Sequence, residues 1–316
     1  MNFSSPIEKA DYISQCLELA ILYEVSGYPK PGNVHRTADF SETTFEHYLA
    51  SAVAVAPSLK IAAEQGIKLS EGKIVASDLG IGYIIKNAVD RMLQSQGGGN
   101  TLLGAIILLA PIAVGAGMIR NGFSFSKLRQ NIKLVVESTT PDDSILVYDA
   151  IAAVKPGGLN KSSKLDVTDP DSKNMILKER ITLFDIFKIA SSYDSIASEW
   201  VNNYPIVFDL GYPYLVKQFE KTNDINTVTV HTFLKILSEI PDTFISRKVG
   251  RAEAELISKK AKEILEKGGL TTKIGKQLLH KLDNKLRDPN HKLSPGTTAD
   301  ITEAVLAINN LKGFKP

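Results

Sequence analysis

The chain has 316 residues, 43% hydrophobic and 23% charged, a balance that supports a large buried core and excludes a mainly disordered or fibrous chain. With 37 Lys and Arg against 35 Asp and Glu, the net charge of +2 is too near neutral for a protein that coats nucleic acid over its whole surface. The single cysteine, Cys16, excludes an internal disulfide and a cysteine-built zinc site.

In chain order, apolar residues recur at helical spacing almost throughout. Ala10, Ile13, Leu17, Ala20, Ile21 and Val25 share one face of a first helix. The pattern predicts a second helix from Thr43 to Glu64, opened by a Thr43-x-x-Glu46 capping box. Others follow near 76–94, 101–119 and 126–137, then near 141–153 with Thr140 as N-cap and Pro141 in the first helical position. Further helical patterns cover about 179–191, 194–201, 205–219 and 228–240. The last are near 243–265 with a break at Gly250, 271–286 and 298–311. Alternating runs are short, the best being Val228–Thr232. The expected fold is therefore all-α: a single globular multi-helix domain over residues 1–316, around a buried apolar central helix.

That central helix lies in the stretch from Gly97 to Ile119, which has no charged side chain and enough residues to span a bilayer. Its glycines, its Pro111 and a near-zero mean hydropathy of the chain favour a helix buried on all sides instead. No membrane association is expected. The start of the chain is charged and has no apolar signal-like run, so a cytoplasmic location is expected. Lys155–Lys173, rich in Gly, Ser, Asp and Lys, reads as one long irregular segment and a candidate lid.

Several segments have the composition of a site. In Tyr28-Pro-Lys-Pro-Gly-Asn-Val-His-Arg36 the prolines and glycine stop the first helix and stiffen a loop bearing Lys30, His35 and Arg36. Point charge, guanidinium fork and imidazole together suit a polyphosphate, and equally suit an exposed turn after a helix C-terminus. Gly97-Gly-Gly-Asn-Thr101 precedes the apolar helix, where backbone N–H groups can meet an anion or Asn100 and Thr101 can simply cap. Ser294-Pro-Gly-Thr-Thr-Ala-Asp300 opens the last helix. There Thr297 and Thr298 can hold phosphate and Asp300 a Mg²⁺ bound to it, or all three can serve the helix start. Asp142, Asp143, Asp194 and Asp242 also stand at helix starts, the last just before Arg247 and Lys248. Asp166 and Asp169 in the polar loop can ligate metal or be solvated, and His231, His280 and His291 show no ligand spacing. Neither a Walker A motif nor a GxGxxG fingerprint is present.

Read together, these segments resemble the triphosphoribosyl-dephospho-CoA synthase family (CitG/MdcB-type). The matching strings are LYEVSGYPKPGNVHR from Leu22, GGNTLLGAIILLAPIA from Gly98 and STTPDDSILVYDAI from Ser138. YDSIASEW from Tyr193, PDTFISRKVG from Pro241 and SPGTTADITEA from Ser294 follow in the family's order. Asn33-Val34-His35-Arg36 after PKPG resembles an archaeal-type branch. The resemblance implies transfer of a ribose triphosphate from ATP to 3′-dephospho-CoA with release of adenine, and Mg²⁺ accompanying the ATP. It also selects residues. Lys30, Arg36, Arg247, Lys248, Asn100, Thr101, Thr297 and Thr298 are expected at the nucleotide and its phosphates. Asp194 and Asp300 are expected at the metal, and His35, Asp143 and Asp194 at the reacting groups. Three alternatives stay open: ribosyl or phosphoribosyl transfer to another acceptor in cofactor synthesis, a plain nucleotide hydrolase releasing adenine to water, and a non-catalytic helical protein whose basic 247–287 region contacts RNA or a partner while the nucleotide site only senses ligand. The expected partners are ATP and dephospho-CoA or a related acceptor, nucleic acid is not expected among them, and the sequence leaves the oligomeric state open.

Overall fold

In the computed structural model, residues 3–154, 165–288 and 290–315 are described. They form helices α1 (Pro6–Ser26), α2 (Phe45–Ser70), α3 (Ile81–Ser95), α4 (Leu103–Gly117), α5 (Phe125–Glu137), α6 (Pro141–Val154), α7 (Pro170–Glu179) and α8 (Leu183–Ala190). The second half adds α9 (Ser195–Val201), α10 (Tyr212–Thr222), α11 (Ile225–Glu239), α12 (Thr243–Val249), α13 (Arg251–Glu266), α14 (Lys273–Leu286) and α15 (Gly296–Leu311). Extended pairing among the described residues is limited to one isolated bridge, His35 to Ala38. The all-α expectation holds, and the alternating run Val228–Thr232 is helical, within α11.

Side chains at helix starts set most boundaries. Thr140 and Asp143 close a reciprocal box at α6, the Thr140 N–H donating to Asp143 Oδ2 at 2.7 Å and the Asp143 N–H to Thr140 Oγ1 at 3.3 Å. The expected Thr43–Glu46 box is displaced by one residue. Thr44 is the N-cap of α2 and its N–H donates to His47 Nδ1 at 3.1 Å, while Thr43 Oγ1 turns away to the Gly98 carbonyl. The predicted helix near 179–191 is two elements. Arg180 takes a left-handed φ of 55° that ends α7, and Thr182 with Asp185 forms a new box that opens α8. Pro170–Lys173 of the supposed irregular segment belong to α7, with Asp169 as its N-cap; residues 155–164 of that candidate lid lie outside the described residues.

α4 is buried at every position except Gly104, as the uncharged stretch predicts. α15 is nearly as buried, from Thr297 to Leu311, although its sequence is polar enough to hide this. Pro111 sits inside α4 and has no N–H for the Ile107 carbonyl four residues back. The Trp200 indole supplies that donor at 3.1 Å, and the Tyr204 hydroxyl donates to the Leu108 carbonyl, also at 3.1 Å. At the other end, Lys9 Nζ donates to the carbonyls of Gly117 and Ile119, each at 2.6 Å, and so closes α4. A second, smaller apolar cluster joins α11 to α12, α13 and α14 through Phe233, Leu237, Ile245, Ile257 and Leu282. Because Val228 and Ile236 of α11 belong to the main core, that helix is the wall common to both.

Candidate active site

The N-termini of α4, α9, α12 and α15 converge on one cavity of about 1250 Å³, with the end of α1 and the loop after it forming part of its lining. Its floor is acidic. Glu24 lies on the buried stripe of α1 with Ile13, Leu17 and Ala20, and is 1% exposed. The equally buried Lys30 places Nζ 2.5 Å from Glu24 Oε1 and 2.9 Å from the Glu24 carbonyl. Two of its three donors are thus taken, leaving one for a ligand.

Asp300 and Glu303, one turn apart on α15, complete the floor. Asp300 Oδ1 accepts the Ala105 N–H at 3.0 Å in the first turn of α4. Burial, with the charges of Glu24 and Asp242 added, pushes its carboxyl well above the usual carboxylate range. Glu303 is buried, its Oε2 has no hydrogen-bond partner, and burial plus Glu24 and Asp300 push it well up too, with Lys30 opposing.

The side of the cavity carries cations. Arg247 pairs with Asp194, whose Oδ1 accepts the N–H groups of Ile196 and Ala197 at 2.8 and 3.1 Å as the N-cap of α9. Lys248 lies over the Phe244 ring at 4.0 Å and donates to the His291 carbonyl at 3.0 Å. The His291 ring lines the cavity against Phe40, centroids 4.0 Å apart, and burial lowers its pKa below 6.5. Asn100 caps α4 through the Leu103 N–H at 3.1 Å, Thr101 Oγ1 is 2.7 Å from Ser51 Oγ, and Thr297 receives the Thr243 hydroxyl at 3.2 Å.

The structure therefore gathers Lys30, Asn100, Thr101, Asp194, Arg247, Lys248, Thr297 and Asp300 around one cavity. Four expected site residues are not among its lining. His35 is tied beneath the loop, Nε2 at 3.2 Å from Asp283 and Nδ1 at 3.1 Å from Thr37 Oγ1, where both ring nitrogens serve the scaffold. Arg36 is exposed, stacked over Tyr28 at 4.4 Å and bound to Asn226 at 2.7 Å. Asp143 has one oxygen in the α6 box and the other 2.7 Å from the Gly82 N–H at the start of α3. Thr298 gives its N–H and its hydroxyl to Asp242 Oδ2, both at 2.8 Å.

Glu24, Glu303 and His291 were missed from the sequence. Glu24 was detectable as a carboxylate on an apolar stripe, and Glu303 as the partner three residues after Asp300. His291 had no local signal, since the fold alone brings its loop to the cavity.

A cavity with cations at its side and carboxylates on its floor, built on helix N-termini, has the chemistry to receive a polyphosphate-bearing molecule. The chain belongs to the CitG family, described as ATP:dephospho-CoA triphosphoribosyl transferase, which matches residues 10–315. It is 23% identical to the 2-(5''-triphosphoribosyl)-3'-dephosphocoenzyme-A synthase of Klebsiella pneumoniae, over 92% of this chain and 88% of that protein. A Pseudomonas fluorescens protein, provisionally given the same description, is 24% identical over 98% of this chain and 95% of its own length. A crystal structure from Archaeoglobus fulgidus, provisionally described as a triphosphoribosyl-dephospho-CoA synthase, superposes with a TM-score of 0.61. The alignment has 22% identity and covers 84% of this chain and all of that one, so the helical fold is shared. No helix among the described residues is long and apolar enough to cross a membrane.

Proposed function

We propose that this chain transfers the ribose 5-triphosphate of ATP to a ribose hydroxyl of 3′-dephospho-CoA in the cytoplasm, releasing adenine. Beyond family membership, the observation that carries this reading is the pairing of a cationic wall with a crowded carboxylate floor in one cavity. Breaking the bond between ribose and adenine builds positive charge on the sugar, as in glycoside cleavage, while the triphosphate is carried through unchanged. Cations are needed to hold the triphosphate and anionic groups to face the sugar.

Lys248, Arg247 and the free donor of Lys30 would orient the phosphates, with Thr297, Asn100 and Thr101 near the helix N-termini. Asp194, fixed by its two backbone donors, would face the ribose. The acceptor hydroxyl loses one proton and the departing adenine gains one, so a single neutral imidazole at His291 suffices to move it.

Mg²⁺ fits the floor. Among the described residues no group of three His, Cys, Asp or Glu side chains could hold a metal alone. Mg²⁺ on a nucleotide needs only one or two protein carboxylates, because phosphate and water supply the other oxygens. Asp300 and Glu303 offer hard oxygens, one of them without any partner, at a point where carboxylates repel one another. The ion would neutralise triphosphate charge there. Asp194 could join only by releasing Arg247.

The test is mass spectrometry of products from the protein with ATP, Mg²⁺ and dephospho-CoA. Adenine with the triphosphoribosyl adduct supports the reading. Adenine without the adduct moves the reaction to another acceptor, and absence of adenine overturns it.

A further inference from the structure

One wall of the cavity is unlike the rest. Tyr148 and Ile151 of α6 and Ile186 and Phe187 of α8 face it from two helices, with Ile189 and Tyr193 at its edge. The charges carried by these helices are turned elsewhere: Asp149 pairs with Lys173, and Asp185 with Lys188 at 3.1 Å. The Tyr148 hydroxyl is consumed by the Leu165 carbonyl at 2.6 Å, so only its ring is offered. Phe187 is held edge-on to Trp200 with centroids 4.7 Å apart, which ties the wall to the core. Ile189 and Tyr193 remain 43% and 52% exposed.

Of ATP, only the adenine matches an apolar wall of isoleucine, tyrosine and phenylalanine side chains. The other substrate of the proposed reaction offers a longer match, a chain free of charge bearing a gem-dimethyl group and two amides. We infer that the α6–α8 wall is the subsite for the pantetheine arm of the acceptor. This inference rests on the function proposed above. The cavity is then divided by chemistry, with triphosphate and adenosine diphosphate moieties at the cationic and carboxylate-bearing side and the arm along α6 and α8. Discrimination between dephospho-CoA and a bare nucleotide acceptor arises at this wall. The serines at 191, 192, 195 and 198, which also line the cavity, are within the same region of chain and suit the arm's amides.

The experiment compares dephospho-CoA with ADP as acceptor. ADP keeps the adenosine, diphosphate and ribose hydroxyls, lacks the arm and carries one more ionisable oxygen on its terminal phosphate. With the unaltered protein, kcat/KM for ADP is expected at least about 30-fold lower, mostly through KM, since loss of apolar burial costs binding in proportion to area. Ile151→Ser and Ile186→Ser should shrink that ratio about tenfold each. Ile189→Ser, at an exposed position where folding is not at stake, should shrink it in the same direction. Equal use of ADP and dephospho-CoA by the unaltered protein overturns the subsite, as does full discrimination in all three variants. If adduct forms while discrimination is absent, only the subsite falls. If neither acceptor yields an adduct, the proposed function falls and the subsite with it.

Discussion

The Asp300 carboxylate rests directly on the backbone of Gly104: a Cβ at that glycine would stand 2.0 Å from Asp300 Oδ2. The missing side chain lets the last helix deliver its carboxylate to the first turn of α4, where it accepts the Ala105 N–H. Gly104→Ala is expected to displace Asp300 and lower adenine release at least about a hundredfold, the scale seen when a reacting group is misplaced by an ångström. Circular dichroism should show the helices retained. Gly97→Ala is the control, since a Cβ there meets nothing within 4 Å.

Lys30 and Arg36 leave the same loop and should behave differently. Lys30→Met strands Glu24 as a buried unpaired carboxylate, which costs about 3–5 kcal/mol of stability in denaturant titration. Adding Glu24→Gln should recover most of that stability without restoring activity. Arg36→Ala removes an exposed contact to Tyr28 and Asn226, so the KM for ATP should stay within about twofold. A large rise in that KM would move the triphosphate towards Arg36.

The two histidines separate in the same way. His291→Asn should lower kcat by about 10²–10⁴ with stability little changed, as removal of a proton-transfer group does. Burial holds its imidazole below pKa 6.5, so it stays neutral under more acidic conditions than a free histidine. The acid limb of the pH–rate profile should therefore lie below pH 6.5 and disappear in the variant. His35→Asn should instead reduce stability, because it breaks the contact to Asp283 that secures the loop to α14.

Acid sensitivity should also report on His231, which is buried between Gln218 and the Leu270 N–H and has its pKa lowered to about 4, mainly by burial. An unfolded histidine titrates near 6.5, so between the two values the unfolded chain binds the extra proton. This contribution to stability is complete above pH 6.5 and is lost as pH falls, by about 2 kcal/mol at pH 5. His231→Gln should start less stable at pH 7.5 and lose about 2 kcal/mol less than the unaltered protein on going to pH 5. Equal losses would exclude the linkage.

The helical period exposed nearly every element, because in an all-helical fold each helix must turn an apolar stripe inward and carry its own caps. The uncharged run around Pro111 announced the buried centre for the same reason. α15 was not legible as its neighbour, since the Thr298 and Thr302 hydroxyls are taken by Asp242 and by backbone, and Asn310 Nδ2 donates to the Cys16 carbonyl, so that polar side chains are buried along it. Motif strings led to most of the residues that line the cavity and could not orient individual side chains. PKPGNVHR sends Lys30 inward and Arg36 outward because Asp283 and Asn226, both about 190 or more residues away, hold the loop from opposite sides. TTPDD and PGTTAD are alike in sequence, each placing an acid close after a helix start, Asp143 in the first turn of α6 and Asp300 just past the first turn of α15. Asp143 closes its own box and Asp300 reaches across to another helix. Chain-distant partners decide such cases.

The proline in α4 also sets the register in which a neighbouring segment packs on it. A central helix that cannot complete its own ladder is finished by an indole and a phenol carried on the segment from 195 to 204. Asp194 immediately precedes that segment as the N-cap of α9, so the groups that repair the middle of α4 also fix how far along its axis the carboxylate stands. Core and cavity share a single ruler. A substitution such as Trp200→Phe, remote from any nucleotide contact, would leave the Ile107 carbonyl without its donor and let that ruler slip.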